Sequence, residues 1–197
     1  MSTSASDAFA EALQRRVETL GLHLSSQQVS ELEAHFHLLN RWNRVLNLTR
    51  IDGLEEIVER HYCESLFLGM HLPQTSIDVV DLGSGAGFPG IPLAVLRPDW
   101  RVTLVESHKR KAVFLREASR GLPNARVLPV RAEELSERFT WAVSRAVNYS
   151  SAQDSLRSLA PNIAILGGDL APSDRFTWNK IQLPWGKHRI LWLHRST

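Results

Sequence analysis

Hydrophobic residues in the first part of the chain recur at helical spacing. Phe9, Leu13, Val17 and Leu20 lie three or four apart, and Gly21 then supplies a stop. A second set, Val29, Leu32, Phe36, Leu39 and Trp42, predicts a helix capped by Ser26. A third helix is expected from about 55 to 68, and the polar stretch 43–53 before it reads as a structured loop. From Ile77 the pattern changes. Short apolar runs at 77–82, 101–107, 125–130, 141–146 and 162–168 read as strands, with helical segments at 91–97, 109–120 and 151–160. Two late strands are expected near 181–183 and 190–193, and an exposed turn at 171–174. This alternation argues a mainly parallel sheet with helices on both faces. The expected organisation is an N-terminal helical region, residues 1–70, followed by an α/β domain, residues 71–197.

Composition narrows the class. At 197 residues and 43% hydrophobic content the chain can bury a sizeable core. No run of about 18 apolar residues occurs, so no membrane span is expected. The N-terminus lacks the basic-then-apolar order of a signal peptide. A single cysteine, Cys63, excludes an internal disulfide framework and a cysteine-only metal site. The expectation is a cytoplasmic, metal-free monomer. Charge changes the picture further, because it is unevenly spread. Residues 1–70 carry a net −4 and residues 71–197 a net +6, and 19 of the 23 basic residues are arginine. Arginine's planar fork suits phosphate and base stacking. Composition permits a nucleic-acid partner without demanding one.

The candidate chemistry sits in "DLGSGAGFPGIP" at 81–92, directly after an apolar run. A strand that enters a glycine loop and then a helix is a ligand-binding edge of an open α/β sheet. Glycine lets the backbone take positive φ and lets a ligand approach closely. Gly85, Gly87 and Gly90 match G-x-G-x-x-G, which on its own suggests a dinucleotide only weakly. Asp81 argues otherwise. A carboxylate there repels a pyrophosphate but favours a cation such as the sulfonium and ammonium of S-adenosylmethionine. The D-x-G-x-G-x-G run from Asp81 to Gly87 resembles the first motif of Rossmann-like methyltransferases. Glu106, ending the second strand, is placed to accept from ribose hydroxyls, a device that serves a dinucleotide and S-adenosylmethionine alike. The "RAEEL" segment at 131–135 follows the third strand, where that class holds adenine, with Ala132 and Glu133 the expected contacts.

A narrower resemblance emerges from several motifs in order: "NLT" (47–49), "RH" (60–61), "DLGSGAGFPGIPLAVLRP" (81–98), "VES" (105–107), "RAEEL" and "SRA" (144–146). Together they resemble the ribosomal RNA small subunit methyltransferase G family, also called glucose-inhibited division protein B. The F-P-G-I-P extension is the most specific part. The resemblance implies an α/β, Rossmann-like class I S-adenosylmethionine-dependent methyltransferase fold with an N-terminal helical extension. It implies methylation of guanine ring nitrogen 7 in the decoding-region loop of 16S rRNA, on the RNA or the small ribosomal subunit. It further implies that Gly83, Phe88, Ala132, Glu133 and Arg145 contact the cofactor, with Gly85, Asp81 and Glu106 completing the pocket on the grounds above. Phe88 is then expected on the cofactor rather than in the core. Arg145 is the expected catalytic residue at the mouth, with an ion pair to a neighbouring carboxylate as the competing reading.

RNA contacts are expected from Arg60 and His61 on the helical part, and from Lys109 and Arg110 in "HKRK". For His61 an ordinary helix histidine, and for the basic run a solvated face, are the competing readings. Trp42 and Trp141 read as core, and no histidine has metal-ligand spacing. Two departures stand out. Leu166 occupies a position where the family pattern has lysine, and Glu64 follows Arg60-His61 where an aspartate is usual. The segment 169–180 is also shorter than the family's. Leu166 is the sole support for an alternative, a catalytically weakened RNA- or cofactor-binding module. A nicotinamide oxidoreductase is disfavoured by Asp81 and by the lack of a catalytic proton donor.

Overall fold

The apolar run after residue 77 forms the middle of a seven-stranded sheet. The computed structural model describes residues 5–145, 149–170, 172 and 176–196. Its strands are β1 (Asp78–Leu82), β2 (Arg101–Val105), β3 (Ala125–Leu128), β4 (Trp141–Arg145), β5 (Asn162–Gly167), β6 (Asn179–Gln182) and β7 (Ile190–His194). Their order is β3-β2-β1-β4-β5-β7-β6. The first five are parallel, and β7 runs antiparallel between β5 and β6. The order reverses direction between β1 and β4, the place where an open α/β sheet leaves a crevice at its carboxyl edge.

The strands alternate their side chains between two unequal layers. Val79, Val102, Leu104, Val143, Leu166 and Leu191 face a large cluster shared with all the helices before β3. Val80, Val105, Ala142, Ile163 and Ile165 face a smaller one, covered by α7 (Tyr149–Leu159). Helices thus cover both faces as expected, but among the described residues six lie on one side and one on the other. The large cluster contains Phe9 and Leu32 as well as Leu93 and Leu193, so the chain before and after residue 70 builds one continuous core.

The helical part comprises α1 (Ala5–Glu18), α2 (Ser26–Leu46), α3 (Leu54–Ile57), a π-helical turn (Val58–Cys63) and α4 (Glu64–His71). The cap of α2 is Ser25, not Ser26. Ser25 Oγ accepts from the Gln28 N–H (3.2 Å) and Gln28 Oε1 accepts from the Ser25 N–H (2.9 Å), a reciprocal capping box. The register has a tertiary reason: Gln28 Nε2 also donates to the carbonyls of Val95 and Leu96, docking α2 on α5 (Gly90–Leu96). The loop expected at 43–53 is shorter than predicted, since α2 runs to Leu46 and stops on left-handed Asn47 (φ 48°). The third helix exists but carries the π-helical turn, which periodicity does not reveal. The remaining helix, α6, spans Lys109–Ala118. Strand β2 stops at Val105, short of the expected 107, because Glu106 turns away to serve the glycine loop. The turn expected at 171–174 lies, apart from Pro172, outside the described residues.

Candidate active site

The glycine loop is held by two buried carboxylates. Asp81 is fully buried, and its Oδ2 accepts from Ser84 Oγ (2.6 Å) and from the Gly90 N–H (3.0 Å) that begins α5. Its Oδ1 is buried without a partner. Burial pushes the Asp81 carboxyl up to about 7, against the pull of Ser84, Gly90 and Arg145. Glu106 Oε2 accepts from the Gly85 N–H (3.0 Å), and its Oε1 from the His108 N–H (2.7 Å). Each carboxylate oxygen has two acceptor positions, so Glu106 keeps capacity for a further donor on each. Gly83, Gly85 and Gly87 all take positive φ (71°, 57° and 89°). At Gly90 the constraint is space instead: a Cβ there would lie 2.1 Å from Leu104 Cδ2 and 2.7 Å from Asp81 Oδ2.

Beside this loop, at the carboxyl ends of β1, β2 and β3, lies a cleft of about 340 Å³. Its lining brings together Gly83, Glu106, Ala132 and Glu133, four residues expected to bind one ligand and separated by up to 50 positions in sequence. Arg131 lines the cleft as well. Ala132 and Glu133 form a 3-10 turn (Ala132–Glu134), and the exposed Glu133 Oε1 accepts from Ser155 Oγ (3.4 Å) on α7. A bare backbone at Gly83, an acidic rim and a nearby orphaned carboxylate oxygen suit a cationic nucleoside. The residues therefore fit S-adenosylmethionine.

Next to the loop lies a second buried arrangement. Glu64, at the start of α4, is fully buried and receives Arg189 bidentately, from Nε (2.8 Å) and Nη2 (2.5 Å). Arg145, at the end of β4, approaches the same carboxylate with Nε 3.6 Å from Oε2. Burial lowers the Arg145 guanidinium to about 10, which still leaves it cationic at neutral pH. Its Cζ lies 6.0 Å from the Phe88 ring.

These features can be set beside known proteins. A model of the family described as rRNA small subunit methyltransferase G matches residues 28–161. The chain belongs to that family. A ribosomal RNA small subunit methyltransferase G of Xylella fastidiosa is 44% identical over 155 residues, covering 78% of this chain and 68% of the relative. That of Pelotomaculum thermopropionicum is 39% identical over 147 residues, covering 70% of this chain. This chain spans 62% of the Pelotomaculum protein's length, under two thirds, as with several other relatives. Among solved structures, a magnesium protoporphyrin IX methyltransferase from Synechocystis with bound SAH matches with a TM-score of 0.58 at 16% identity, over 80% of this chain and 93% of that one. A SAM-dependent O-methyltransferase from Thermotoga maritima matches with a TM-score of 0.55 at 12% identity, over 81% and 71%. These likenesses show the class I methyltransferase fold.

Within this methyltransferase G family member, two expected contacts need correction. Phe88 lies in the core, not on the cofactor cleft: it is 4% exposed, stacked on His61 (4.6 Å between centroids, 14°) and edge-on to Tyr62 (5.1 Å). The loop reverses at Gly87, and the Phe88 N–H bonds back to the Ser84 carbonyl (3.1 Å), which turns the ring toward the helical layer. His61 is 4% exposed, with Nε2 2.8 Å from Thr49 Oγ1. Burial first, then the charges of Arg145, Arg60 and Arg189, lower it to about 2, so it is a neutral, buried packing group. Arg60, on the same π-helical turn, is partly exposed and pairs with Glu56 (3.0 Å). Lys109 and Arg110 are exposed where α6 leaves the cleft. Leu166 is buried beside its strand partner Leu191. Trp141 is core as expected, and Trp42 packs against the core with its ring 5.9 Å from Phe114.

Sequence reasoning missed three residues that hold the candidate site together. Arg189 lies in a polar turn with no periodic signal, and its role became visible only through Glu64. A glutamate inside the otherwise apolar run "CESLFL" was the available clue, because a buried carboxylate requires a cation. His35 was also missed. Its Nε2–H donates to the Ala86 carbonyl (3.0 Å), and its Nδ1 accepts from Tyr62 OH (2.9 Å), so α2 pins the glycine loop directly. Ser84, which grips Asp81, was the third. Among the described residues no group of His, Cys, Asp and Glu is placed to hold a metal ion, and no helix is long and apolar enough to cross a membrane.

Proposed function

We propose that this protein transfers a methyl group from S-adenosylmethionine to ring nitrogen 7 of a guanine in the decoding-region loop of 16S rRNA. The observation that carries the reading is the convergence of Gly83, Glu106, Ala132 and Glu133 on one cleft, beside Asp81 and Arg145, in a methyltransferase G family member. In this reading it works in the cytoplasm, as a monomer and without a metal ion.

S-adenosylmethionine supplies a methyl group on a sulfonium sulfur. The chain's residues bind and orient around it. Glu106 offers its spare acceptor positions to the ribose hydroxyls, and the Ala132–Glu133 turn flanks the adenine. Gly83 admits the ligand to the backbone, and the unpartnered Asp81 Oδ1 supplies negative charge for the cationic end.

Guanine nitrogen 7 has an in-plane lone pair and no proton. No general base is required, and the neutral His61 is consistent with that chemistry. What the chain must provide is proximity and orientation, which can contribute about 7–11 kcal/mol. That nitrogen lies in the deep, narrow groove of an RNA helix, so the guanine has to be unpaired or extruded to reach the mouth. In this reading Arg145, cationic and 3.6 Å from Glu64, is the group that holds the base or its phosphate.

The test is tritium transfer from labelled S-adenosylmethionine to small ribosomal subunits from a strain lacking this protein. Label is expected in 7-methylguanine, falling about 10²-fold in Arg145→Ala with cofactor affinity measured in parallel. Cofactor binding with no label on subunits or on extracted RNA would sink the reading and favour a binding module.

A further inference from the structure

The exposed face of α6 carries an unusual concentration of free positive charge. Lys109, Val113, Arg116 and Arg120 follow one another at i, i+4, i+7 and i+11, so they form a single stripe along the helix and the turn that ends it. Arg110 lies beside its first turn, and Lys111 faces the other side of the helix. None of these five cations makes a side-chain hydrogen bond or ion pair with another described residue.

That freedom contrasts with the arginines nearby. Arg97 is tied to Asp99, Arg101 to Asp78, and Arg126 to Glu137. The one acid on α6, Glu117, is itself engaged by Arg41 of α2 at 3.4 Å, which leaves the stripe without a counter-charge. Val113 sits among the cations at 49% exposure, one of three large hydrophobic residues left so open among the described residues.

The stripe also has a direction. Helix α6 begins three residues after Glu106, in the wall of the cleft, and runs back antiparallel to the parallel strands. From Lys109 to Arg116 is about 10 Å along the axis at the α-helical rise. A chain of phosphates leaving the mouth therefore has a continuous line of cations to follow down the flank of the protein.

We infer that this α6 stripe, from Lys109 through Arg116 to Arg120, is a docking surface for the phosphate backbone of the small-subunit rRNA strand that adjoins the target guanine. Charge complementarity selects the occupant: a polyanion neutralises the three stripe cations at once and releases its own counterions. Val113 gives the sugar edge an apolar spot between them. The inference rests on the rRNA reading proposed above and extends it beyond the mouth, to Arg116 and Arg120.

The experiment measures binding of the intact protein to small ribosomal subunits separately from methyl transfer, across a salt series. The variants are Arg116→Ala/Arg120→Ala and Arg116→Glu/Arg120→Glu. The control is Arg138→Glu, an exposed position below the opposite, amino-terminal edge of the strands. The double alanine variant is expected to bind subunits about tenfold more weakly at moderate salt. The slope of log affinity against log salt should be shallower by about 1.4–1.8 for the two lost contacts. The double glutamate variant should lose more, while S-adenosylmethionine affinity and melting temperature stay unchanged and Arg138→Glu stays near wild type. An unchanged salt slope in both double variants overturns the inference. So does an equal loss in Arg138→Glu, since that would reflect net charge alone. Because binding is read apart from methylation, an absence of 7-methylguanine would count against the proposed reaction and leave this test standing.

Discussion

Arg189 grips both oxygens of Glu64 across 125 residues of sequence, and Arg145 shares the same carboxylate at longer range. The Arg189 contacts are 2.8 and 2.5 Å, whereas Arg145 stands at 3.6 Å from the same carboxylate. A fully buried glutamate must be compensated, and the residue that compensates it decides where the other guanidinium goes. Removing Arg189 is expected to draw Arg145 closer onto Glu64. Arg189→Ala should cost roughly 3 kcal/mol of stability, as for a buried pair losing one partner. It should also lower methyl transfer more than Arg189→Lys does. Combining it with Glu64→Gln should return part of both losses, because the uncompensated charge disappears. A double-mutant cycle on urea unfolding and on turnover checks this, and strict additivity would remove the coupling.

Two buried histidines predict acid sensitivity. Burial holds His35 down to about 4 from 6.5, so the native state refuses a proton that the unfolded chain accepts. Its contribution is complete above 6.5 and is lost as pH falls toward 4, with a limiting slope of about 1.4 kcal/mol per pH unit. His61 acts in the same direction, down to about 2. Unfolding free energies between pH 7.5 and 4.5 should decline more steeply in wild type than in His35→Gln, which keeps a donor for the Ala86 carbonyl. Equal slopes would acquit His35.

Asp81 runs the other way. Its native value is raised to about 7 from 3.8, so the native state holds a proton that the unfolded chain has released. The associated stability is complete below 3.8 and is lost as pH rises through about 7. A cationic ligand beside it should favour the ionised form. S-adenosylmethionine affinity is therefore expected to rise with pH up to about 7 in wild type, with proton release on binding, and to be flat in Asp81→Asn. Calorimetry in two buffers of different ionisation enthalpy reads both quantities.

Gly90→Ala should be among the most damaging single methyl additions in the chain. The new Cβ would meet Leu104 at 2.1 Å and Asp81 Oδ2 at 2.7 Å, both fully buried. Overpacking of this kind costs about 1–3 kcal/mol. Here it also displaces the carboxylate that shapes the loop, so cofactor affinity should fall together with melting temperature. Gly121→Ala, where a Cβ meets nothing within 4 Å, is the matched control for the added methyl group.

The elements of this fold were largely readable because each carries a local signal. Strands β1 and β5 are short runs rich in valine and isoleucine and bounded by turn residues, which favours strand over helix. The glycine loop is legible because left-handed backbone at Gly83, Gly85 and Gly87 demands that residue. The cleft residues could be named because their positions follow from strand ends. What misled was local appearance at crowded places. Ser26 and Ser25 are equivalent caps until Gln28 is required to reach Val95 and Leu96. Phe88 reads as a ligand platform until the Gly87 turn directs it toward His61.

The pattern of apolar positions and the spacing of glycines were enough to dictate the element order, the parallel sheet and the edge at which a ligand binds, since these depend on periodicity and on backbone sterics within a few residues. The pairing of Glu64 with Arg189, the neutrality of His61 and the pinning of the glycine loop by His35 depend on which side chains meet inside the folded chain. Burial converts those meetings into charge states and fixed distances, and burial is a property of the packed layers, not of any local run of residues.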